Sequence, residues 1–168
     1  MKTKHYRAAG GVVLDARGKV LLIERDVMRN GTLLHEVRLP KGHVDEGETD
    51  EQAAMRETCE ESGYGALAVL ADLGECRTEY DHNGKHYVRD EHYFLLRLTS
   101  PEWQGPDVDP DSEEALFSVK WARDFDEAEA LLTYASEKDF AARARNALQG
   151  YRTISIRLRG RSAFTMTV

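Results

Sequence analysis

The sequence has few cysteines, no long hydrophobic run and no linker that would separate two domains. Cys59 and Cys76 are the only cysteines among 168 residues, and neither belongs to a CxxC pair or a Cys/His ladder. This scarcity excludes a disulfide scaffold or a zinc site as the organising feature. No stretch reaches the ~18 consecutive apolar residues of a membrane helix, and the charged start predicts no secretory signal. We therefore expect one soluble, cytoplasmic domain.

Basic residues are almost absent from the segment 42–64. The chain has 23 Lys and Arg against 30 Asp and Glu, which gives a net charge of −7. The segment alone has the same charge, since Arg56 is its only base. Its eight acids are Asp45, Glu46, Glu48, Asp50, Glu51, Glu57, Glu60 and Glu61. Such a segment either solvates one face of the domain or binds cations.

Strands are predicted on both sides of one central helix. The predicted strands are 7–24 (a hairpin), 66–73, 77–80 and 87–98 (joined by a turn at 81–84), and 116–121. Thr49 and Gln52 have the spacing of a capping box and Gly63 stands where a helix would end, so a helix is predicted between them. Residues 27–38 and 100–114 are expected to be irregular, and 124–147 helical with a break near Ser136. These elements imply a mixed α/β layered domain.

The chain is divided into a domain over residues 1–150 and a basic extension over 151–168. In the extension, Ile154, Ile156 and Leu158 alternate with arginines. The favoured prediction is an added edge strand whose arginines block further pairing. A dimer contact, a phosphate-facing patch and an expression artefact are the alternatives.

Three carboxylates share one face of the predicted central helix. At about 100° per residue, Glu60 and Glu61 fall within roughly 60° of Glu57. Like charges at these spacings repel one another, and no lysine is interleaved to relieve the repulsion. The pattern fits either an acidic surface helix or a hard-cation site, because Mg²⁺ prefers oxygen ligands and bridges to substrate phosphates.

The same segment resembles the Nudix box. Gly42 to Glu48, seven further residues, and then the run Arg56-Glu57-Thr58-Cys59-Glu60-Glu61-Ser62-Gly63-Tyr64 contain its fixed Gly, Glu and Arg residues at its spacing. Thr58 and Tyr64 depart from the pattern, because the family prefers aliphatic residues there. The similarity covers roughly residues 7–148. It implies an α/β fold, the Nudix α/β/α sandwich with a mixed β-sheet.

The resemblance also implies a reaction and residues for it. Family members hydrolyse a nucleoside diphosphate linked to another group, using Mg²⁺ or Mn²⁺. Carried over by position, Glu57, Glu60, Glu61 and the backbone carbonyl of Lys41 would be metal ligands. Arg56 would orient Glu57 or Glu60, and Glu48 would support the loop and the surroundings of the metal. A general base often lies on the late loop, where Glu114 or its neighbour Glu113 is the candidate and plain solvation is the alternative.

The Leu-Pro-Lys-Gly-His run at 39–43 resembles the diadenosine polyphosphate hydrolase branch of the family. Lys41 and His43 are expected to neutralise distal phosphates, with capping of the loop as the alternative for His43. Tyr80 and Tyr87 are expected to contact phosphate or base, with strand packing as their alternative. Diadenosine or other nucleoside polyphosphates are therefore the favoured substrates. Hydrolysis of ADP-ribose, of another sugar nucleotide or of damaged nucleoside triphosphates is the runner-up. A non-catalytic nucleotide-binding regulator is the rival class of function. The sequence requires no membrane or nucleic-acid partner, and a homodimer is possible.

Overall fold

A mixed β-sheet organises the part of the chain that the structure describes. This structure, a computed structural model, describes residues 2–161, with side chains as far as residue 150. The strands are β1 (Lys2–Leu14), β2 (Val20–Arg29), β3 (Thr32–Arg38), β4 (Lys41–His43), β5 (Leu67–His82), β6 (Lys85–Leu98) and β7 (Ser118–Ala122). The helices are α1 (Asp50–Ser62), α2 (Phe125–Leu131) and α3 (Ala135–Arg161), and a 3₁₀ turn spans Glu113–Leu116.

The strand order is β3-β2-β1-β6-β5, with β4 paired to β1 and β7 to β2. β1 and β6 are parallel, while the other pairs are antiparallel. Two apolar clusters lie on the two faces of the sheet. One contains Phe125 of α2 and Phe140 of α3, and the other contains Ala53 and Ala54 of α1. The predicted α/β/α sandwich with a mixed sheet is therefore confirmed. None of the helices within residues 2–161 has the length and apolar character to span a membrane.

The segment 27–38, predicted to be irregular, is a β-hairpin. β2 continues to Arg29 and pairs with β3, with Arg25 opposite Glu36. Asn30 and Gly31 form the connection, and both have a left-handed backbone, with φ of 50° and 79°. Two left-handed residues suit the tight turn whose twist matches that of the strands, and Asn-Gly is its preferred sequence. This dipeptide was the signal for the hairpin.

Two predicted strands, 66–73 and 77–80, form one strand, β5. Its register against β6 shifts between Val69 and Ala71 and again between Asp72 and Glu75. A β-bulge adds an unpaired residue and bends the strand without ending it. The irregular pattern in this part of the sequence therefore reflects bulges within a continuous strand.

The basic extension contains a helix where an edge strand was predicted. α3 begins at Ala135, close to the predicted break near Ser136, and continues to Arg161. The edge-strand prediction is therefore wrong for residues 151–161. Ile154 and Leu158 are four residues apart, so the alternating pattern also has helical spacing, and leucine and arginine are good helix formers. The rest of the predicted strand lies outside the described residues.

Candidate metal and phosphate site

The acidic helix α1 has the ends predicted for it. The Thr49 side chain accepts a hydrogen bond from the Gln52 N–H, and the Gln52 side chain accepts one from the Thr49 N–H. Gly63 ends the helix in a left-handed conformation. Glu60 and Glu61 lie in the last turn, where no basic residue faces the negative end of the helix dipole. Carboxylates are unfavourable there, so a different contribution must offset their cost.

Gly42 brings strand β4 directly against Glu57. A Cβ atom at position 42 would lie 2.1 Å from the Glu57 carboxylate, so any other residue would displace that carboxylate. Next to it, the Lys41 N–H donates a 2.8 Å hydrogen bond to Glu61. The glycine of the sequence motif is thus explained by the close approach of a backbone to a carboxylate.

Arg56 forms hydrogen bonds with three acidic side chains of the site. Its guanidinium donates to Glu48 (2.8 Å), Glu57 (2.8 Å) and Glu60 (3.1 Å), and also to the backbone carbonyl of His43. Glu48 in turn accepts from the Asp45 N–H. The hydrogen bonds to Glu48 raise the pKa of Arg56 most strongly and lower the pKa of Glu48. One cation therefore orients three carboxylates but cannot neutralise them.

Burial shifts the pKa values of three charged groups in the site in the direction that favours their neutral forms. It raises the pKa of Glu57, although Arg56 opposes this effect. It also raises the pKa of Glu61, against the attraction of Lys41, and lowers the pKa of Lys41. A bound cation would act in the opposite direction on both carboxyl groups, because a neighbouring positive charge favours the ionised form.

A cavity of about 240 Å³ opens beside these carboxylates. Glu61, Lys41 and His43 line it, together with three arginines that the sequence analysis did not select: Arg25, Arg38 and Arg89. Each arginine has an ion pair with a glutamate that is at most 1% exposed, and the partners are Glu36, Glu137 and Glu91 respectively. Buried partners fix the guanidinium groups before any ligand arrives. Glu36 was missed because its strand was predicted to be irregular, and Arg25 lies just beyond the predicted strand that ends at residue 24.

Aromatic residues form one side of the cavity. Tyr6 lines it and stacks on His43, with 4.5 Å between the ring centroids. Tyr80 and Tyr87 stack on each other, and the Tyr80 hydroxyl is 2.8 Å from that of Tyr6. They therefore contact Tyr6 instead of lining the cavity, and their predicted contact with substrate stays a prediction. Burial and the nearby Lys41 lower the pKa of His43, which favours a neutral imidazole at neutral pH.

The two candidate bases on the late loop have different surroundings. The Glu113 carboxylate accepts two hydrogen bonds from Arg29, of 2.9 and 2.8 Å. Both residues line the cavity, but no hydrogen bond or ion pair holds the Glu114 side chain among the described residues, and its charge acts on Glu57, Glu61 and His43. Glu114 is therefore the better placed of the two to act on a molecule in the cavity.

A second group of possible metal ligands lies at the start of α1. Asp50, Glu75 and His92 place one ligand atom each within 4.8 Å of one another. Arg7 forms ion pairs with both acids, and His92 hydrogen-bonds to Asp50 and Asp72. Arg7 and His92 already supply positive charge to both acids. The group is accordingly an ion-pair network that joins α1 to the sheet.

The residues in the last two turns of α1 fit a divalent metal better. The donors there are all oxygens, namely the carboxylates of Glu57, Glu60 and Glu61 and the backbone carbonyl of Lys41. Mg²⁺ and Mn²⁺ prefer such ligands. Gly42 leaves room for this approach, since a side chain at that position would fill the space beside Glu57.

A sandwich of this kind, with an acidic helix end beside a cation-lined cavity, has the features expected of a metal-dependent domain that handles phosphate compounds. Residues 4–144 match the family described as NUDIX domain. The chain therefore belongs to the Nudix family, and the resemblance found in the sequence is confirmed.

Several known proteins are similar to the chain. It is 34% identical over 146 residues to the "Putative mutator protein MutT4" of Mycobacterium tuberculosis (strain CDC 1551 / Oshkosh), a match that covers 84% of this chain and 55% of that protein. It is also 34% identical over 117 residues to an RNA pyrophosphohydrolase of Erythrobacter litoralis (strain HTCC2594), covering 63% of this chain and 66% of that protein. The chain thus spans between about half and two thirds of these relatives.

A solved structure shares the fold. The crystal structure of a binary complex of a C. elegans Ap4A hydrolase superimposes with a TM-score of 0.61 and 26% sequence identity. The match covers 86% of this chain and 98% of that one.

Proposed function

We propose that this protein is a divalent-metal-dependent pyrophosphohydrolase that cleaves a nucleoside diphosphate linked to another group. One observation carries the proposal: Glu61, which shares the end of α1 with the incompletely neutralised Glu57 and Glu60, lines a cavity together with four cationic side chains. The carboxylates suit a metal, and the cations suit phosphates. The favoured substrates are nucleoside polyphosphates, with diadenosine polyphosphates first.

Glu57, Glu60, Glu61 and the Lys41 carbonyl would hold Mg²⁺ or Mn²⁺. The ion, when bound, supplies positive charge for the phosphate oxygens and lowers the pKa of a coordinated water. Arg56 keeps Glu57 and Glu60 in fixed rotamers by bonding to both. Glu48 orients Arg56 in the same way. These roles are proposed from the geometry and from membership of the family.

The cavity wall supports a substrate with several phosphates. Lys41, Arg25, Arg38 and Arg89 lie on the same cavity as Glu61, so a phosphate chain that begins at the metal would meet further positive charge. Arginines held by buried partners lose little freedom when they bind, which favours affinity. The Ap4A hydrolase and the RNA pyrophosphohydrolase among the similar proteins are consistent with this class of substrate.

Turnover of a nucleotide panel tests the proposal. Diadenosine tetraphosphate, nucleoside triphosphates, 5′-triphosphate RNA and ADP-ribose are incubated with the protein and Mg²⁺ or Mn²⁺, in ¹⁸O-labelled water, and the products are identified. We expect metal-dependent release of a nucleotide with ¹⁸O in one phosphate, fastest with the polyphosphates. Faster turnover of ADP-ribose or of nucleoside triphosphates would favour the runner-up. Tight nucleotide binding without turnover would indicate a regulator and contradict the proposal.

A cytoplasmic location and a homodimer, both expected from the sequence, carry no part of this proposal and stay predictions.

A further inference from the structure

The 3₁₀ turn at the rim of the cavity contains two neighbouring glutamates that both line the cavity but differ in their bonding partners. Glu113 is held by Arg29 through two parallel hydrogen bonds. The Glu114 side chain has no hydrogen bond or ion pair within the part of the chain that the structure describes, and it lines the cavity. Because Glu114 directly follows Glu113 in this short turn, the bonds that hold Glu113 also restrict the direction of the Glu114 side chain.

A second arginine holds the backbone of the same turn. Arg25 donates a 2.9 Å hydrogen bond to the Glu113 carbonyl. Its guanidinium also lies over the Phe117 ring, 4.3 Å from the centroid, and Phe117 directly follows the turn. Arg25 thus contacts the chain at both ends of the turn. A planar guanidinium is suited to the stacking contact with Phe117.

Both arginines are held by one buried acid. Glu36 is 1% exposed, accepts a 2.9 Å hydrogen bond from Arg25, and lies 3.7 Å from the Arg29 Nε atom. The Tyr134 hydroxyl donates to the other Glu36 oxygen. Glu36 lies on β3 and both arginines lie on β2. The β2–β3 hairpin therefore holds the 3₁₀ turn in place through these arginines.

We infer that the Arg29–Glu113 ion pair positions Glu114 as the general base of the hydrolysis. This inference rests on the proposed function. In the step concerned, a water oxygen forms a bond to phosphorus while its proton moves to the Glu114 carboxylate. The bridging P–O bond breaks, and its electron pair leaves on the departing phosphate. Arg29 and Glu113 are positioning residues here, because they act through Glu114.

A double-mutant cycle tests whether Arg29 acts through Glu114. Arg29→Met removes the donors but keeps the length of the side chain, and it avoids the buried Arg25 and Glu36. We expect Arg29→Met to lower kcat about threefold to tenfold with less than about a twofold change in KM. In a Glu114→Gln background, the same change should alter kcat less than twofold. Arg29→Lys, which can keep one of the two hydrogen bonds, should recover part of the loss.

Arg77→Met is the matched control, because Arg77 forms an exposed two-bond pair with Asp90 far along β5. Its kcat should equal that of the wild type. Losses that multiply in the Arg29→Met/Glu114→Gln double variant would overturn the inference, as would a wild-type kcat in either single variant.

Amide hydrogen exchange provides a readout that does not require activity. The N–H groups of Ala115 and Phe117 donate to carbonyls inside the turn, to Ser112 and Glu114 respectively. Arg29→Met should accelerate their exchange at least threefold, whereas Arg77→Met should not. Unchanged exchange would show that the ion pair does not hold the turn and would overturn the inference. A wild-type protein without metal-dependent turnover would instead contradict the proposed function, and the exchange result would be unaffected.

Discussion

The two ends of helix α1 contain similar acids in very different surroundings. At the first turn, Arg7 and His92 neutralise Asp50, and the positive end of the helix dipole adds to its stability. In the last two turns, roughly 10–16 Å further along the axis, Arg56 is shared by Glu48, Glu57 and Glu60. Glu61 has only a backbone N–H as its hydrogen-bond donor among the described residues.

This difference indicates that the acid at the start of α1 stabilises the fold, whereas the acids in its last two turns are suited to bind a metal ion. A folded domain gains stability when each buried acid has a partner, as at the start of α1. Acids that are left short of positive charge near the negative end of a helix reduce stability. Such a deficit persists where an external cation can complete the site, which is why the second group and not the first is proposed to bind the metal.

The largest expected effect is the difference in kcat between substitution of Glu57 and substitution of Asp50. Glu57→Gln keeps the shape but removes one negative charge, and we expect kcat to fall at least about 100-fold, or about 2.7 kcal/mol of barrier. Asp50→Asn should leave kcat within about twofold while lowering the melting temperature. Steady-state assays and thermal unfolding of both variants check this. Equal losses of turnover at the two positions would erase the proposed distinction.

Arginine at position 56 should be needed for its shape as well as its charge. Arg56→Lys replaces a planar fork with a point charge, so it cannot keep its bonds to three carboxylates and a carbonyl. We expect kcat to fall about tenfold with the metal requirement unchanged. Arg7→Lys, the equivalent change at the first turn, should have less than a twofold effect. Full activity of Arg56→Lys would mean that the residue only balances charge.

The length of the phosphate chain should determine the importance of Lys41 and His43. Lys41→Gln combined with His43→Ala should lower kcat/KM about tenfold more for diadenosine tetraphosphate than for ADP-ribose, since a charge-assisted contact contributes about 1.5–3 kcal/mol. Lys19→Gln, at the exposed β1–β2 turn, is the control. Equal losses on both substrates would indicate that the two side chains support the site in general and do not contact the distal phosphates.

The smallest effect should appear in the pH dependence of stability at the first turn. Burial disfavours protonation of His92, but the hydrogen bonds that its ring donates to Asp50 and Asp72 outweigh this effect and raise the pKa of His92. The stabilisation is therefore present below about pH 6.5 and is lost as the pH rises through the higher folded value. His92→Gln should lower the melting temperature by about 2–4 °C at pH 6 and have little effect at pH 9. The same loss at both values would exclude an imidazolium there.

Local signals in the sequence were sufficient for α1 and for the positions of several strands. Thr49, Gln52 and Gly63 act within a few residues of their own positions, so their spacing predicts the helix and its ends. The carboxylates of its last two turns were selected because a fixed motif identifies them. The hairpin at 27–38 was missed, although Asn30-Gly31 is a strong turn signal, because its flanking strands do not alternate clearly.

The arginines of the cavity could not be found in the same way. Arg38 and Glu137 are paired across 99 residues of sequence, and Arg25 meets Glu113 across 88. Pairs of this kind depend on the packing of distant elements, which no local pattern encodes. A tail that alternates arginine with isoleucine and leucine fits a strand or a helix, so continuation of α3 could not be decided from spacing alone.

The parallel pairing of β1 with β6 affects how the protein is made. Lys2 lies opposite Lys85, so β1 must wait for a partner synthesised more than 80 residues later. At about 5–20 residues per second, that delay is roughly 4–17 seconds. During this time the apolar half of β1 has no neighbour on one edge, while α1 and the β2–β3 hairpin can already form from local contacts. Pairings so distant in sequence are slow, and we expect the nascent chain to depend most on chaperones in this interval.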